Sequence, residues 1–349
     1  MSQNSGRNAN LELLRIICMF GIVYSHLSGY AGIDMARTTF ENGNVLIAVL
    51  RTVFNPMVNV FVLISGYFLI KADFRLERIV KTYTVPLFYL LIGTTIAFVF
   101  GNASIVDFIR SLLFIIPSRV GGLWFIRMYI MLLLIQPYLQ IWVNNLSHKQ
   151  YILLLALLLF MNTHILENFP LGNIHMDGFS NFWFITVFLL GGYIRRHVDI
   201  GSINTSRLLA IVLSLGGGIF SIWIFKIRQI ELTYNSTISI AFAVFVFLLF
   251  CKIKIASNRI VYFLSESMFA VYILHEMAYV KEILPDLINR YAPSVSQSND
   301  ISLIIYILIL SLSILFMGVL IDKVRITIFR MTKINENITN YLKKMIYEK

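Results

Sequence analysis

Charged residues are scarce in this sequence: Asp, Glu, Lys and Arg together make up 13% of its 349 residues. A soluble domain carries about 25%. Hydrophobic residues make up 58% of the chain, and apolar runs of roughly 17 to 25 residues, the length of a membrane-spanning helix, recur along it. The composition therefore excludes an ordinary soluble domain and predicts an all-α polytopic membrane protein.

Cysteine is also scarce, and several catalytic motifs are missing. The two cysteines, Cys18 and Cys251, both fall inside apolar runs, which excludes a disulfide framework and a cysteine metal site. The sequence contains no Gly-x-Ser-x-Gly elbow, no Walker loop and no histidine cluster with zinc spacing. These absences argue against several enzyme classes. We expect no metal site and no bound cofactor.

We predict about ten membrane-spanning helices. The first apolar run has no small-residue cleavage signature after it, so we interpret it as an uncleaved span and not as a signal peptide. The predicted spans cover residues 11–31, 46–70, 83–101, 122–143, 150–166, 180–195, 207–225, 236–253, 260–281 and 301–322.

The distribution of Lys and Arg predicts the orientation. If the N-terminus is cytoplasmic, the inner segments hold 19 of these residues and the outer segments hold 7. Positive residues accumulate in cytoplasmic segments, so we expect both termini to be cytoplasmic. The net charge of +11 follows this topology. It therefore indicates contact with the lipid bilayer and no nucleic-acid partner.

We predict that the chain consists of one integral-membrane domain over residues 1–325 and a basic cytoplasmic tail over residues 326–349. No segment between the spans is long enough for a soluble domain. Of the longer outer stretches, residues 102–120 are amphipathic and can lie along the bilayer interface. Residues 282–300 are polar and rich in turn-forming residues.

The first span carries two ionisable residues, Arg15 and His26. They are eleven residues apart, so at 100° per residue they share one helix face and are separated by roughly 16 Å along the axis. Polar groups in hydrocarbon are costly and usually face an internal cavity, where a histidine suits general base catalysis. The alternatives are an arginine that snorkels to the inner surface and a histidine bonded to a neighbouring helix.

Other candidate residues lie around the next spans. Ser65-Gly66 allows either a close helix contact or a local break near the inner end of the second span. Arg75 and Arg78, three residues apart on a predicted interfacial helix, can grip phosphate on the cytoplasmic side. The simpler alternative is that positive residues crowd inner loops.

Three residues are candidates for binding the acceptor or stabilising an oxyanion. Arg127 lies near the outer end of the fourth span, His275 near the outer half of the ninth, and Tyr24 two residues before His26. Snorkelling and a structural hydrogen bond are the alternatives for the first two. We assign no role to the remaining histidines, which are His148, His164, His175 and His197.

Five segments, in order, resemble the membrane-bound acyltransferase family 3. Arg15 and His26 are similar to its Arg-x10-His signature. FVLISGYFL at 61–69, FRLERIVKTYTVP at 74–86, LWFIRMYIMLLLIQPYL at 123–139 and SESMFAVYILHE at 265–276 resemble its later elements. Where the family often has His before Leu-Trp-Phe, this chain has Gly122, and Arg127 matches no general family position.

The resemblance implies transfer of an acyl group, often acetyl, from cytoplasmic acyl-CoA to a hydroxyl of an extracytoplasmic glycan or lipid-linked saccharide. It also implies a multi-pass protein of a bacterial cell membrane. We hypothesise that His26 is the general base, that Arg15 is a further catalytic residue at the inner end of the span, and that Arg75 and Arg78, together with Arg15, hold the acyl-CoA phosphates. Some members carry a soluble esterase-like domain, and none is predicted here. A succinyl donor and an acyl-histidine relay stay open. The competing functions are a transporter of a lipid-linked sugar and a catalytically silent member that binds a partner.

Overall fold

A computed structural model describes residues 8–30, 45–114, 123–163, 178–224, 233–291 and 300–347. Within these ranges the chain forms α-helices joined by short connections, with no β-strand. The helices are α1 Ala9–Tyr30, α2 Val45–Phe54, α3 Met57–Leu69, α4 Leu76–Val99, α5 Ile105–Leu112, α6 Trp124–Asn144, α7 His148–Asn162, α8 Asn181–His197, α9 Thr205–Ile224, α10 Thr237–Lys252, α11 Arg259–Ser265, α12 Met268–Glu276, α13 Ala278–Tyr291, α14 Asp300–Thr332 and α15 Ile334–Tyr347.

Among the described residues, five helices are long and apolar enough to cross a membrane. They are α1, the α2–α3 pair, α4, α6 and α14. The α11–α12 segment and α13 form a bent pair, which makes a sixth span if the pair crosses as one. α7, most of α9, and α10 are shorter apolar helices. An all-α multi-pass membrane protein is thus confirmed, while the count of ten spans and the cytoplasmic side of the termini stay predictions.

Helix α1 lies between two hydrophobic cores. One side of it, including Leu14 and Cys18, packs into a core formed mainly by α3, α7, α8 and α10. The other side, including Val23 and Leu27, packs into a second core formed by α4, α12, α13 and α14. Because α1 touches both cores, its polar residues are held among protein groups and not against lipid.

Helices α3 and α8 approach closely enough for their backbones to touch. A Cβ on Gly66 would overlap the carbonyl oxygen of Phe188, and one on Gly191 would overlap that of Leu63. Small residues allow this kind of packing in membranes. Of the two roles predicted for Ser65-Gly66, close helix contact is therefore the observed one. The break in the second span lies earlier, at Asn55-Pro56 between α2 and α3.

The ninth predicted span is not a straight helix. It stops at Ser265, resumes at Met268, and bends by 76° between Glu276 and Ala278. Irregular backbone at membrane depth is tolerated where it is buried in protein or lines a cavity, and the first interruption borders the cavity described below. The span predicted over residues 260–281 therefore consists of helices set at an angle, and the 76° bend leaves His275 and Glu276 at the end of α12.

Of the two long stretches that were predicted to lie outside, one has the predicted local structure and the other does not. The described part of residues 102–120 contains the amphipathic helix α5, with Ile105, Val106 and Ile109 exposed. Residues 282–291, predicted to be rich in turns, continue α13 as a helix to Tyr291. Residues 115–120 and 292–299, together with Gly122, His164 and His175, lie outside the described residues.

Candidate active site

A cavity of about 440 Å³ runs alongside α1. Its lining includes Arg15, Met19, Ile22 and His26, which are spaced by four, three and four residues and therefore lie on one helix face. Because Arg15 and His26 both border it, the cavity extends over roughly 16 Å of the helix axis. We call it the central cavity. Its other walls come from α3, α4, α6, α12 and α14.

The Arg15 end of the central cavity is charged, and its middle is apolar. Arg15 donates to Glu12 at 2.6 Å and lies 6.0 Å from the ring of Phe68 near the end of α3. Only residues 70–75 separate α3 from α4, so α4 begins at this same end, where Lys81 joins the lining. Between this end and His26 the walls include Val58, Phe61 and Val85.

At the other end, His26 is bonded to residues from the broken ninth span. Its Nδ1 lies 2.9 Å from Oε1 of Glu276 and 2.9 Å from Nε2 of His275. His275 and Glu276 are only 1% and 3% exposed. The other Glu276 oxygen, Oε2, is 2.6 Å from Nζ of Lys281, and Tyr30 donates to Oε1 at 3.3 Å.

These contacts determine which nitrogen of His26 carries the proton. His275 Nδ1 is 2.7 Å from the carbonyl oxygen of Val271, which can only accept, so Nδ1 of His275 holds its proton and Nε2 is an acceptor. Both neighbours of His26 Nδ1 are then acceptors, which requires a proton on Nδ1. In the neutral ring Nε2 is then the nitrogen without a proton, and it makes no hydrogen bond to a described residue, which is the form that a general base requires.

The same three residues resemble a metal site in composition. His26, His275 and Glu276 each offer one ligand atom, and these atoms lie within 4.8 Å of one another. Two histidines and a glutamate are a known zinc set. However, the ammonium group of Lys281 already contacts Glu276, and a second cation beside it would be repelled. The contacts present fit a hydrogen-bonded chain around an imidazole base.

Comparison with known proteins identifies the family. Residues 8–322 match an acyltransferase domain, that of acyltransferase family 3. The chain belongs to acyltransferase family 3. The match covers nearly the whole chain and includes both ends of the central cavity. Searches of the curated proteins and of the solved structures found no match.

Only some of the predicted site residues of this acyltransferase are brought together. His26, Arg15 and the candidate His275 are at the central cavity or in contact with it. Tyr24 is fully buried against Phe54, with ring centroids 5.5 Å apart, and does not border the cavity. Arg127, in the first turn of α6, is half-buried and makes no ion pair with a described residue.

Arg75 and Arg78 are neighbours at the start of α4, which is a candidate membrane span and not a separate interfacial helix. Arg75 has extended backbone at the position before α4, and Arg78 donates to the Asp73 carbonyl oxygen at 2.6 Å in the first turn of that helix. Neither borders the central cavity. Lys81, one turn further along α4, does.

No role was predicted for Glu276, Lys281, Arg325 or Tyr272. Glu276 is the clearest omission, because it directly follows His275 and lies in an apolar segment. A carboxylate in such a segment is costly and marks a functional site by default. Its partner His26 is 250 residues away in the chain, so no local pattern connects the two.

Proposed function

We propose that this acyltransferase moves an acyl group, with acetyl as the expected one, from cytoplasmic acyl-CoA to a hydroxyl of a cell-surface polysaccharide or its lipid-linked precursor. The observation that carries the proposal is the central cavity, which joins a charged end at Arg15 to the base at His26. An acyl-CoA has a charged nucleotide end and a long, thin arm that carries the thioester. These two parts correspond to the charged end and the apolar stretch of the cavity.

In the proposed reaction His26 acts as a general base. Its Nε2 takes the proton of the acceptor hydroxyl as that oxygen attacks the thioester carbonyl carbon. The tetrahedral intermediate then collapses, the carbon–sulfur bond breaks, and the thiolate of CoA takes the proton back from Nε2. Glu276 is a positioning residue: it holds the ring through Nδ1 and stabilises the imidazolium that forms between the two proton transfers.

Tyr272 is the candidate donor to the oxyanion. Its side chain borders the central cavity, and its ring centroid lies 5.9 Å from that of His275. The hydroxyl is buried, lies near the backbone of Phe125, and makes no hydrogen bond of standard geometry to a described residue. Buried polar groups are normally satisfied, so a buried hydroxyl without such a bond, on a ring next to that of His275, suits a charge that develops during the reaction. His275, an acceptor at Nε2, is less suited to this role.

The proposed orientation places the Arg15 end on the cytoplasmic side of a bacterial cell membrane. Lys81 and Arg325 border the cavity at this end, and cytoplasmic segments carry an excess of Lys and Arg. The His26 end then faces the outer half of the bilayer, where a glycan or lipid-linked saccharide would approach. The donor reaches the base from one side and the acceptor from the other.

The test is transfer of label from one side of the membrane to a glycan on the other. Inside-out vesicles containing the protein are given acetyl-CoA labelled in the acetyl group, and the surface glycans are analysed by mass spectrometry. We expect an added acetyl mass that mild base removes, and none in vesicles that lack the protein. Movement of an unmodified saccharide without label would instead indicate a transporter.

A further inference from the structure

A second cavity of about 220 Å³ adjoins the Arg15 end of the central cavity. The two share Lys81, Glu266 and Arg325 as lining residues, so they meet at these side chains. We call the second one the basic vestibule. It is bordered by four cations, Lys81, Arg325, Arg330 and Lys333, against two carboxylates, Glu266 and Glu336.

Arg325 is a fixed cation at the junction. It is only 5% exposed, and its Nε donates to Oδ1 of Asp322 at 2.6 Å. Tyr89 donates to the same Asp322 oxygen at 2.7 Å, and the guanidinium lies 5.0 Å from the ring centroid of Phe329. A guanidinium held in this way presents its remaining N–H groups in a set direction, which favours recognition of oxyanions such as phosphate.

Lys333 is held in a strained backbone conformation between α14 and α15. Its φ is +50°, the one positive value at a non-glycine residue in the described part of the chain. Such strain persists where the surroundings impose it and is common at functional sites. This geometry allows α15 to turn back beside α4, and it leaves Lys333 on the vestibule wall, where it forms no ion pair with a described residue.

Helix α15 is attached to α4 by polar contacts on either side of the vestibule. Thr84 donates to Asn335 at 2.7 Å, and Lys343 is 2.6 Å from Glu77. The wall that carries Lys333 is therefore fixed relative to the wall that carries Lys81. The vestibule is built from α4, α14, α15 and the link between α11 and α12 that carries Glu266, which meet around one group of cations.

We propose that the basic vestibule binds the phosphate groups of the nucleotide end of acyl-CoA, with Arg325 directing the arm into the central cavity. This inference rests on the proposed function. The nucleotide end of CoA carries a diphosphate and a further phosphate, and charge-assisted hydrogen bonds from Lys and Arg bind such groups. Arg75 and Arg78, which border neither cavity, are then not the phosphate ligands.

Binding of CoA to the full-length protein in lipid nanodiscs tests this inference. We expect Arg330→Gln and Lys333→Asn each to raise the Kd for CoA roughly tenfold, the loss of one charge-assisted contact. Asn is chosen at 333 because it tolerates positive φ. Lys344→Gln is the matched control, because Lys344 is an exposed lysine of α15 outside the vestibule, and its Kd should stay within twofold.

A second substrate separates this inference from the proposed function. S-acetyl-pantetheine carries the thioester and arm but lacks the nucleotide, so all three variants should use it as well as the unaltered protein does. Unchanged CoA affinity in Arg330→Gln and Lys333→Asn, with weaker binding in Arg75→Gln or Arg78→Gln, would overturn the vestibule and leave acyl transfer standing. Transfer from neither donor by the unaltered protein would overturn both.

Discussion

Replacing His26 with alanine should lower acyl transfer by roughly 10²- to 10⁴-fold, the usual contribution of a general base. The reason is geometric: His26 borders the central cavity, and its Nδ1 is bonded to Glu276 and His275, so Nε2 is the nitrogen left to take a proton. The measurement is the rate of label transfer from acetyl-CoA, normalised to the amount of folded protein in the membrane.

His148→Ala is the matched control for this variant. His148 stacks on His197, with ring centroids 4.6 Å apart, and contacts the hydroxyl of Tyr193 at 3.0 Å. It does not border the central cavity. Its replacement removes an imidazole without removing the base, so activity should be retained. A His26→Ala protein that transfers acetyl at the unaltered rate would remove His26 from the mechanism.

Glu276→Gln should lower kcat by roughly 10- to 1,000-fold with little change in KM for acyl-CoA. An opposite charge at this separation favours the charged form of its partner by about that factor, and glutamine keeps the shape of the side chain without the charge. The imidazolium formed during transfer would lose this stabilisation, while the donor site at the other end of the cavity would be untouched. Steady-state kinetics at several acyl-CoA concentrations separate the two constants.

Two comparisons make the Glu276 result specific. Glu276→Asp keeps a carboxylate and should recover part of the lost kcat, which a purely structural role would not predict. Glu282→Gln removes an exposed carboxylate from the neighbouring helix α13 and should leave kcat unchanged. Equal activity of Glu276→Gln and the unaltered protein, both running as folded particles on size-exclusion chromatography, would contradict the assigned role.

The residues that share a face of α1 could be predicted from the sequence. Spacing alone put Arg15 and His26 on one side of α1, and both border the central cavity. This worked because α1 is one unbroken helix, so the angle between two residues depends only on their separation. The positions of α4, α6 and α10 were predicted to within several residues for a similar reason, since long apolar runs are the strongest signal of a span.

The contacts between segments that are far apart in the chain could not be predicted from the sequence. The pairing of His26 with Glu276 depends on where α12 ends, and that end is set by a 76° bend that the apolar pattern does not show. The vestibule likewise depends on α15 folding back beside α4 through Lys333. Arg75 and Arg78 were favoured because they are close in sequence, yet the cations that border the cavities come from three separate helices.

The most direct test of the proposed donor passage is whether a water-soluble reagent from the cytoplasm reaches the cavity beside His26. With Cys18 and Cys251 replaced by alanine, Ile22→Cys places a thiol at the cavity one turn below His26, and Ile309→Cys places one on the exposed outer face of α14. Both variants are treated in inside-out vesicles with a small cationic thiosulfonate, with and without CoA.

We expect the thiol at position 22 to be modified, CoA to protect it, and the thiol at position 309 not to react. Absence of modification at position 22, or modification that CoA does not slow, would mean that no donor passage leads from the cytoplasm to the imidazole.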